Sequence, residues 1–235
     1  MRRYTIPIAA MLVLAAGAGA QNQGGGASAE VALTTSNLPF DTVKLVPPDL
    51  GRPAPLMRAF KERRSVREYD TRPLTLSQLS ELLWAANGVN RDDGKRTSPA
   101  AVNQQLVDIY VVLPVGAFLY DAPGARLLPV AGGDLRKLAG RQEFVTSAPV
   151  NLIYVADPVR FKSRPGGPAI PDDEKLNWSR IAVGAMAQNV GLYCAAEKLG
   201  NVVRAMVDRE KLGPALKLRP DQVVLLAQTV GCLKP

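Results

Sequence analysis

The periodicity of apolar and polar residues changes repeatedly along this chain, which predicts helices and strands mixed in one domain. From Thr75 to Gly88 the apolar positions fall on one helical face. Thr75 and Gln78 form a T-x-x-Q capping box there, and Gly88 provides a stop. A run of apolar and small residues predicts a long, deeply buried helix over residues 173–199, ended by Gly200. Shorter helices are predicted over residues 55–64, 134–138 and 209–218.

Strands are predicted between these helices. The nearly continuous apolar run at residues 150–156 is typical of a central strand that is buried on both faces. The Asp121–Gly124 turn joins two further strands into a hairpin. Helices and strands intermingle without a regular βαβ order, so we predict an α+β fold. The full set of predicted strands is 107–113, 117–121, 126–131, 150–156, 202–207 and 222–230.

The N-terminus predicts export. Arg2 and Arg3 precede an apolar run, and Ala18-Gly19-Ala20 offers an A-x-A cleavage site, so residues 1–20 are expected to be a secretory signal peptide. The apolar run is too short for a permanent membrane anchor. Residues 21–37 are rich in Gly, Ala and Ser and are expected to form a flexible linker. Residues 38–235 are expected to form a single domain in the periplasm or outside the cell.

Composition narrows the possible functions. The 235 residues are 47% hydrophobic and 21% charged, which is typical of a globular domain with a sizeable core. The net charge is +8, or +6 without the two arginines of the signal peptide. These charges are scattered, aromatic residues make up 6%, and no nucleic-acid-binding motif accompanies them, so no nucleic-acid partner is expected.

The chain contains no histidine, which excludes histidine-based catalytic triads and histidine-ligated metals. Its two cysteines, Cys194 and Cys232, form no C-x-x-C pair, and no metal site is expected. Cys194 lies in an apolar helical run and is expected to pack in the core. Export permits a disulfide between the two, but the sequence does not determine whether their geometry allows it.

The segment RRSVREYD, from Arg63 to Asp70, carries the strongest chemical signal. Arg63, Arg64 and Arg67 lie within five positions and flank Ser65. The planar guanidinium group suits a phosphate, and a neighbouring hydroxyl adds a hydrogen bond. A solvated basic helix end is the alternative interpretation of the same residues.

A second segment, RTSPAAVNQQLVDIYVV, begins at Arg96, some thirty residues downstream. It combines a Pro-small-small turn with a polar corner that leads into a predicted strand. In order and spacing, the segments from Leu56 to the C-terminus resemble the nitroreductase superfamily. The run LLWAANGVNRDDGKRTSPAA is especially similar to the SagB-type dehydrogenase branch, in which a WAA-x-G-x-N-R phrase precedes an R-T-x-P-S/A turn.

This resemblance implies an FMN-dependent oxidoreductase that transfers hydride by a ping-pong mechanism and acts on a small-molecule substrate. It also implies an α+β homodimer with two FMN molecules at the subunit interface. Because the flavin carries the chemistry, no catalytic side chain is expected. A non-enzymatic periplasmic flavin-binding or electron-carrier protein with the same fold is the alternative.

The resemblance also assigns the residues that contact the cofactor. Arg63 and Ser65 match the positions that bind the FMN phosphate and ribityl chain, and Arg64 lies between them. Arg67 and Asn103 match positions at the pyrimidine edge of the ring. The partner subunit would supply the turn Pro99, Ala100, Ala101.

In the predicted strand at 202–207, Arg204 and Ala205 match a pair whose backbone N–H faces the hydride-accepting nitrogen. Better-known members have a glutamate in place of Arg204, so we expect the arginine side chain to place a positive charge beside an anionic substrate. The basic tail that completes the phosphate site in many members is reduced here to Lys234. Since NAD(P)H is not expected outside the cytoplasm, a SagB-type dehydrogenation fits export better than nitro reduction.

Overall fold

A computed structural model describes residues 32–234. The predicted signal peptide and residues 21–31 of the predicted linker lie outside the described residues. The helices are α1 (Leu56–Glu62), α2 (Leu76–Asn87), α3 (Phe144–Ser147), α4 (Asp172–Ala196) and α5 (Arg209–Ala215). The strands are β1 (Val43–Lys44), β2 (Val107–Leu113), β3 (Gly116–Asp121), β4 (Arg126–Gly132), β5 (Val150–Ala156), β6 (Leu199–Arg204) and β7 (Val223–Cys232).

The strands form a seven-stranded sheet in the order β1-β4-β3-β2-β5-β7-β6. Every strand pair within it is antiparallel. A single parallel bridge, between Ser65 and Asn201, attaches the arginine-rich segment to the edge strand β6. The sheet is therefore mixed only at this edge, and the predicted α+β class is confirmed.

The core lies on both faces of the sheet, as the continuous apolar pattern of β5 predicts. Leu152 and Tyr154 point toward a large cluster with α2 and α4, whereas Ile153 and Val155 point toward a smaller cluster with α5 and the region of α3. Every residue of β5 is buried. This strand therefore anchors both layers of helices. Among residues 32–234, we find no helix with the length and apolarity needed to cross a bilayer.

Helix α2 begins and ends where the sequence predicts. The Thr75 hydroxyl accepts a hydrogen bond from Gln78 N (3.1 Å), and Gln78 Oε1 accepts one from Thr75 N (3.0 Å). The predicted capping box is thus confirmed, and Gly88 follows the last helical residue. Two of the backbone donors at this end of the helix are therefore satisfied by side chains within four residues.

Helix α4 ends earlier than predicted. Its last residue is Ala196, Lys198 takes the left-handed conformation (φ 55°), and β6 begins at Leu199. Gly200 therefore lies within a strand and does not stop the helix. A Cβ at Gly200 would lie only 3.0 Å from Val66 Cγ1, so glycine allows the arginine-rich segment to approach β6 closely.

Residues 32–37, the end of the predicted linker, are packed against the start of α2. Thr35 is fully buried, and its hydroxyl accepts a hydrogen bond from Leu74 N (3.1 Å). Leu33 O accepts another from Leu76 N (3.0 Å). The polar composition of this segment predicts a linker. In the structure, however, its threonine hydroxyl and its backbone carbonyl groups accept hydrogen bonds from N–H groups at the start of α2.

The capping box predicts a measurable stability change. We expect Thr75→Ala to lower the free energy of unfolding by about 1 kcal/mol, because it removes the acceptor for Gln78 N. Ser77→Ala, at an exposed position of the same turn, is the matched control and should leave stability unchanged or slightly raised. Urea unfolding checks both. Equal midpoints for the two variants would contradict the role of the cap.

Candidate functional site

A cavity of about 350 Å³ opens between the arginine segment (residues 61–67), the end of α4 and the start of β6. Positively charged side chains dominate its wall. The residues that line it are Lys61, Glu62, Arg63, Arg64, Val66, Ala195, Lys198, Leu199, Asn201 and Leu233. We refer to it as the cationic cavity.

Backbone hydrogen bonds fix the arginine segment in place. Arg63 N donates to Ala59 O (2.8 Å) at the end of α1, and Val66 N donates to Asn201 O (2.8 Å). The aliphatic stem of Arg63 lies against Gly191 of α4, where a Cβ would stand 3.5 Å from its Cγ and Cδ. The segment is therefore held between a helix and a strand edge, and its charged ends are left free.

The positive charges of this region have no carboxylate partner. Within residues 32–234, none of the five cations of this segment and its rim forms an ion pair: these are Lys61, Arg63, Arg64, Arg67 and Lys198. Glu62 is the acidic residue of the wall, and it pairs with Arg58 at 2.7 Å. Unpaired guanidinium and ammonium groups gathered around one cavity favour a polyanionic ligand such as a phosphate.

Lys198 is a cavity residue that the sequence analysis missed, because it was assigned to the interior of a longer helix. Its left-handed backbone conformation ends α4 and brings it to the cavity wall. Lys234, the basic residue that follows the last strand, does not line the cavity. Its Nζ lies 3.5 Å from Glu68 Oε2 instead.

The parallel bridge also places the arginine segment against the edge strand that carries Arg204. Ser65 pairs with Asn201, and Arg204 is the last residue of the same strand, three positions further on. Ser65, Arg67 and Ala205 are all exposed. The predicted phosphate position Ser65 therefore lies against the strand that leads to Arg204 and Ala205.

The side chain of Arg204 contradicts the expectation drawn from the sequence. It is only 5% exposed and does not face a substrate pocket. Its Nε donates to Thr229 Oγ1 (2.9 Å), Nη1 to Ala139 O (2.8 Å) and Nη2 to Asn151 Oδ1 (3.1 Å). Side chains alternate along a strand, so Val202 and Arg204 point inward while Val203 and Ala205 point outward. The expected positive charge beside an anionic substrate is therefore wrong.

Burial has an electrostatic cost for this arginine. Desolvation lowers the pKa of Arg204 to about 10, and no described carboxylate is paired with it. Its charge is held by hydroxyl, amide and carbonyl oxygens alone. The neighbouring Gly140 has no room for a side chain, because a Cβ there would collide with Nη1 of Arg204.

The predicted turn at Pro99–Ala101 and Asn103 adopts a tight, irregular conformation. Residues Ala101–Asn103 form a single 3-10 turn in which Val102 and Asn103 have positive φ angles of 44° and 59°. Pro99 and Asn103 are exposed, whereas Ala100 and Ala101 are half-buried. Asn103 Oδ1 accepts a hydrogen bond from Gln105 Nε2 (3.2 Å).

Helix α4 separates this turn from the cationic cavity within one chain. Ala100 and Ala101 lie beside Ala182 and Met186 of α4, whereas the cavity meets the helix at Ala195. These helix positions are roughly 160° apart around the axis at 3.6 residues per turn. A single chain therefore brings together the arginine segment and β6, but not the turn.

The two cysteines are free. Cys194 packs in the core as predicted, and burial raises the pKa of its thiol. The pKa of Cys232 is also raised by burial. Neither thiol is therefore suited to act as a nucleophile.

Comparison with known proteins identifies the family. The sequence model of the nitroreductase family matches residues 60–232, which include the arginine segment and every strand from β2 to β7. The chain belongs to the nitroreductase family. The family suggests an oxidoreductase, and its members typically bind flavin.

Individual relatives agree with this assignment. A Methanocaldococcus jannaschii protein, provisionally named nitroreductase MJ1384, is 32% identical over 197 residues, which cover 79% of this chain and 96% of the relative. A solved structure from Ralstonia eutropha JMP134, also provisionally a nitroreductase, is 40% identical with a TM-score of 0.76, covering 87% and 93% of the two chains. The NADPH:FMN oxidoreductase of Vibrio harveyi shares the fold at 21% identity and a TM-score of 0.55, covering 77% and 72%.

The buried position of Arg204 leads to a prediction about stability. We expect Arg204→Met to lower the free energy of unfolding by about 3 kcal/mol, because three buried oxygens lose a charged donor. Arg204→Glu should lower the free energy of unfolding further, because its negative carboxylate would face the same three oxygen atoms. Arg141→Met, at an exposed arginine, is the control and should stay within about 0.5 kcal/mol. Urea unfolding that finds Arg204→Met as stable as the control would show that the network contributes nothing.

Proposed function

We propose that the protein is an FMN-dependent oxidoreductase that transfers hydride by a ping-pong mechanism. The observation that carries the proposal is the cationic cavity, whose unpaired cations lie beside Leu199 and Asn201 of β6, the strand that leads to the exposed residue Ala205. FMN has a charged phosphate at one end and a flat ring at the other, which matches a cationic cavity followed by an exposed strand. Family membership supports the same cofactor class.

The residues present fit the phosphate end of FMN. Arg63 and Arg64 supply planar donors, while Lys61 and Lys198 add mobile point charges. Ser65 offers a hydroxyl at the neighbouring position. Lys198 would supply here the charge that a basic tail supplies in many members.

The ring end needs few side chains. When bound, FMN supplies the two-electron chemistry. Arg67 would stabilise negative charge at the pyrimidine edge, and the backbone N–H groups at Arg204–Ala205 would orient the reactive edge. Val203 and Met206 are exposed apolar residues at the same edge, suited to cover a ring and keep water away. This division of labour requires no histidine.

A homodimer would complete the site. Since α4 separates the turn from the cationic cavity, Pro99, Ala100, Ala101 and Asn103 can reach the cofactor only from a second copy. Exposed apolar side chains on α1 and α4 offer a surface for that contact: Leu56, Met57, Phe60 and Ile181. Exposed apolar side chains of this kind are typical of an interface.

The SagB-type branch and export remain part of the proposal. The phrase LLWAANGVNRDDGKRTSPAA supports the branch, and the residue pattern at 1–20 supports export. Outside the cytoplasm a small organic donor would replace NAD(P)H, and the enzyme would work as a dehydrogenase. The alternative, a flavin carrier, uses the same site without turnover. Anaerobic stopped-flow reduction by candidate donors, followed by repeated turnover with an acceptor, separates the two.

The phosphate assignment is tested with paired variants. We expect Arg63→Ala to weaken FMN binding by about 1.5–3 kcal/mol, and Lys198→Met to weaken it about tenfold, as each removes a charge-assisted contact. Lys234→Met, outside the cavity, is the matched control. Quenching of flavin fluorescence on titration of apoprotein measures these affinities.

Riboflavin, which lacks the phosphate, provides the second control. Its affinity should not change in Lys198→Met, because the lost contact is to the phosphate. If riboflavin and FMN lose the same affinity, the variant has damaged the fold. Full FMN retention in both cavity variants would overturn the phosphate assignment.

The dimer predicts a linked loss of association and flavin. We expect Ile181→Glu to give monomers at micromolar concentration, because a carboxylate would be buried in the apolar interface. FMN affinity should fall in the same samples. Val46→Glu, at an exposed apolar residue that follows β1 at the sheet edge opposite β6, should leave both unchanged. Light scattering that detects a flavin-loaded monomer would contradict the shared site.

A further inference from the structure

A second cavity, of about 360 Å³, lies between α2 and α4 beneath the chain of residues 48–54. It shares no lining residue with the cationic cavity. Leu56, an exposed residue of the proposed dimer contact, lies at its rim, so the cavity borders that surface. We refer to it as the α2–α4 cavity. A site here would be additional to the proposed cofactor site and does not depend on it.

The wall of this cavity is held in place by the protein itself. Asp49 N donates to Glu81 Oε1 of α2 (3.3 Å). The guanidinium of Arg52 pairs with Glu81 and, at 3.0 Å, with Glu197 just beyond the end of α4. The chain that covers the cavity is therefore tied to both of the helices beneath it. A cavity formed without a ligand is the usual condition of a small-molecule site.

The middle of the cavity is apolar. Trp84 lines it from α2, and its Nε1 already donates to Val89 O (3.0 Å), so the indole offers carbon surface to a ligand. Leu192 adds a second apolar side chain from α4. Ala85 and Ala196 are small residues of the lining and leave room between the two helices. This part of the cavity suits an aromatic or aliphatic group.

One end of the cavity is negatively charged. Three carboxylates and one guanidinium line it, from Asp49, Glu81, Glu197 and Arg52, so the formal charge of the lining is −2. Asp49 is exposed and, within residues 32–234, forms no ion pair; its Oδ1 accepts one hydrogen bond, from Gly51 N (3.0 Å). The Glu197 side chain is 19% exposed and pairs with Arg52 through Oε2 only. Two carboxylates with accessible oxygens thus favour a cation at this end.

We propose that the α2–α4 cavity binds an amphipathic primary amine, with an apolar body and one ammonium group. The body packs on Trp84 and Leu192, and the ammonium group donates to Asp49 and Glu197. The lining residues of α4 run from Asn189 to Glu197, which is about 12 Å at 1.5 Å per residue, a length that suits an arylalkylamine. The charge of the lining disfavours a carboxylate ligand, and a purely apolar ligand would make no use of the acidic end.

Isothermal titration calorimetry on the full protein tests the proposal with 2-phenylethylamine, 2-phenylethanol and 3-phenylpropionate, which share a ring and differ in charge. We expect saturable binding of the amine at millimolar concentration or below. The alcohol should bind at least about tenfold more weakly and the carboxylate more weakly still, because only the ammonium group gains from both carboxylates. Equal affinity for amine and alcohol would overturn the assignment of the acidic end. Absence of saturable amine binding would overturn the proposal.

Two charge variants locate the ammonium group. We expect Asp49→Asn and Glu197→Gln each to weaken amine binding about threefold to fivefold and to leave the affinity for the alcohol unchanged. Asp49→Asn keeps both ion pairs of Arg52, so it remains informative if Glu197→Gln disturbs the covering chain. Glu174→Gln, at an exposed glutamate in the first turn of α4, is the matched control. Unchanged amine affinity in both folded variants would overturn the proposed contacts.

A variant that fills the cavity locates the apolar body. Ala196→Leu, at an exposed residue that ends α4, should weaken the binding of amine and alcohol alike by at least about tenfold, because the larger side chain occupies their space. Native circular dichroism is checked first, and light scattering is measured on the same samples. Unchanged amine affinity in folded Ala196→Leu would place the amine elsewhere. If the starting protein binds no amine and Ala196→Leu alters its oligomeric state, the cavity is a contact between copies and the proposal is wrong.

Discussion

The pairing of the arginine segment with Asn201 determines where the charges of the cationic cavity lie. The backbone N–H of Val66 donates to the backbone oxygen of Asn201. A series of buried side-chain hydrogen bonds fixes the Asn201 side chain. Its Oδ1 accepts from Gln228 Nε2 (3.0 Å), and Gln228 Oε1 accepts from the Tyr154 hydroxyl (2.7 Å). Tyr154 lies on the central strand β5, so the edge of the site is tied to the middle of the core. A buried network in which every polar group is paired is rigid, because breaking any hydrogen bond leaves a polar group unpaired in a low-dielectric interior.

The same architecture explains how the cations are tolerated without a ligand. They gather where α4, a helix of 25 residues, presents its last carbonyl groups. The negative end of the helix dipole faces Lys198 and the neighbouring arginines, which stabilises positive charge there. Exposure of Arg64 and Lys198 to solvent reduces the remaining repulsion. An anion would add to this arrangement without requiring the segment to move.

Local signals in the sequence predicted much of the fold and the position of the arginine segment. The capping box of α2 and the apolar run of β5 depend on residues that are close together in the sequence. A short stretch of sequence is therefore enough to predict both elements. The direction of Arg204 depends on Thr229, Asn151 and Ala139, which are distant in the chain and meet only in the sheet. Lys198 escaped notice for a similar reason. Lys198, and not Gly200 two residues later, takes the left-handed conformation, and β6 begins three residues earlier than predicted.

The division of the predicted contacts by α4 has a thermodynamic consequence for the proposed dimer. If each cofactor touches the arginine segment of one copy and the Pro99–Ala101 turn of the other, then FMN binds the dimer better than the monomer. Linkage then requires FMN to strengthen dimerisation by the same factor by which dimerisation strengthens FMN binding. Dilution would release cofactor and subunits together. In the proposed dimer, assembly would thus be a condition of tight cofactor binding, and burial of the apolar residues exposed on α1 and α4 would favour it.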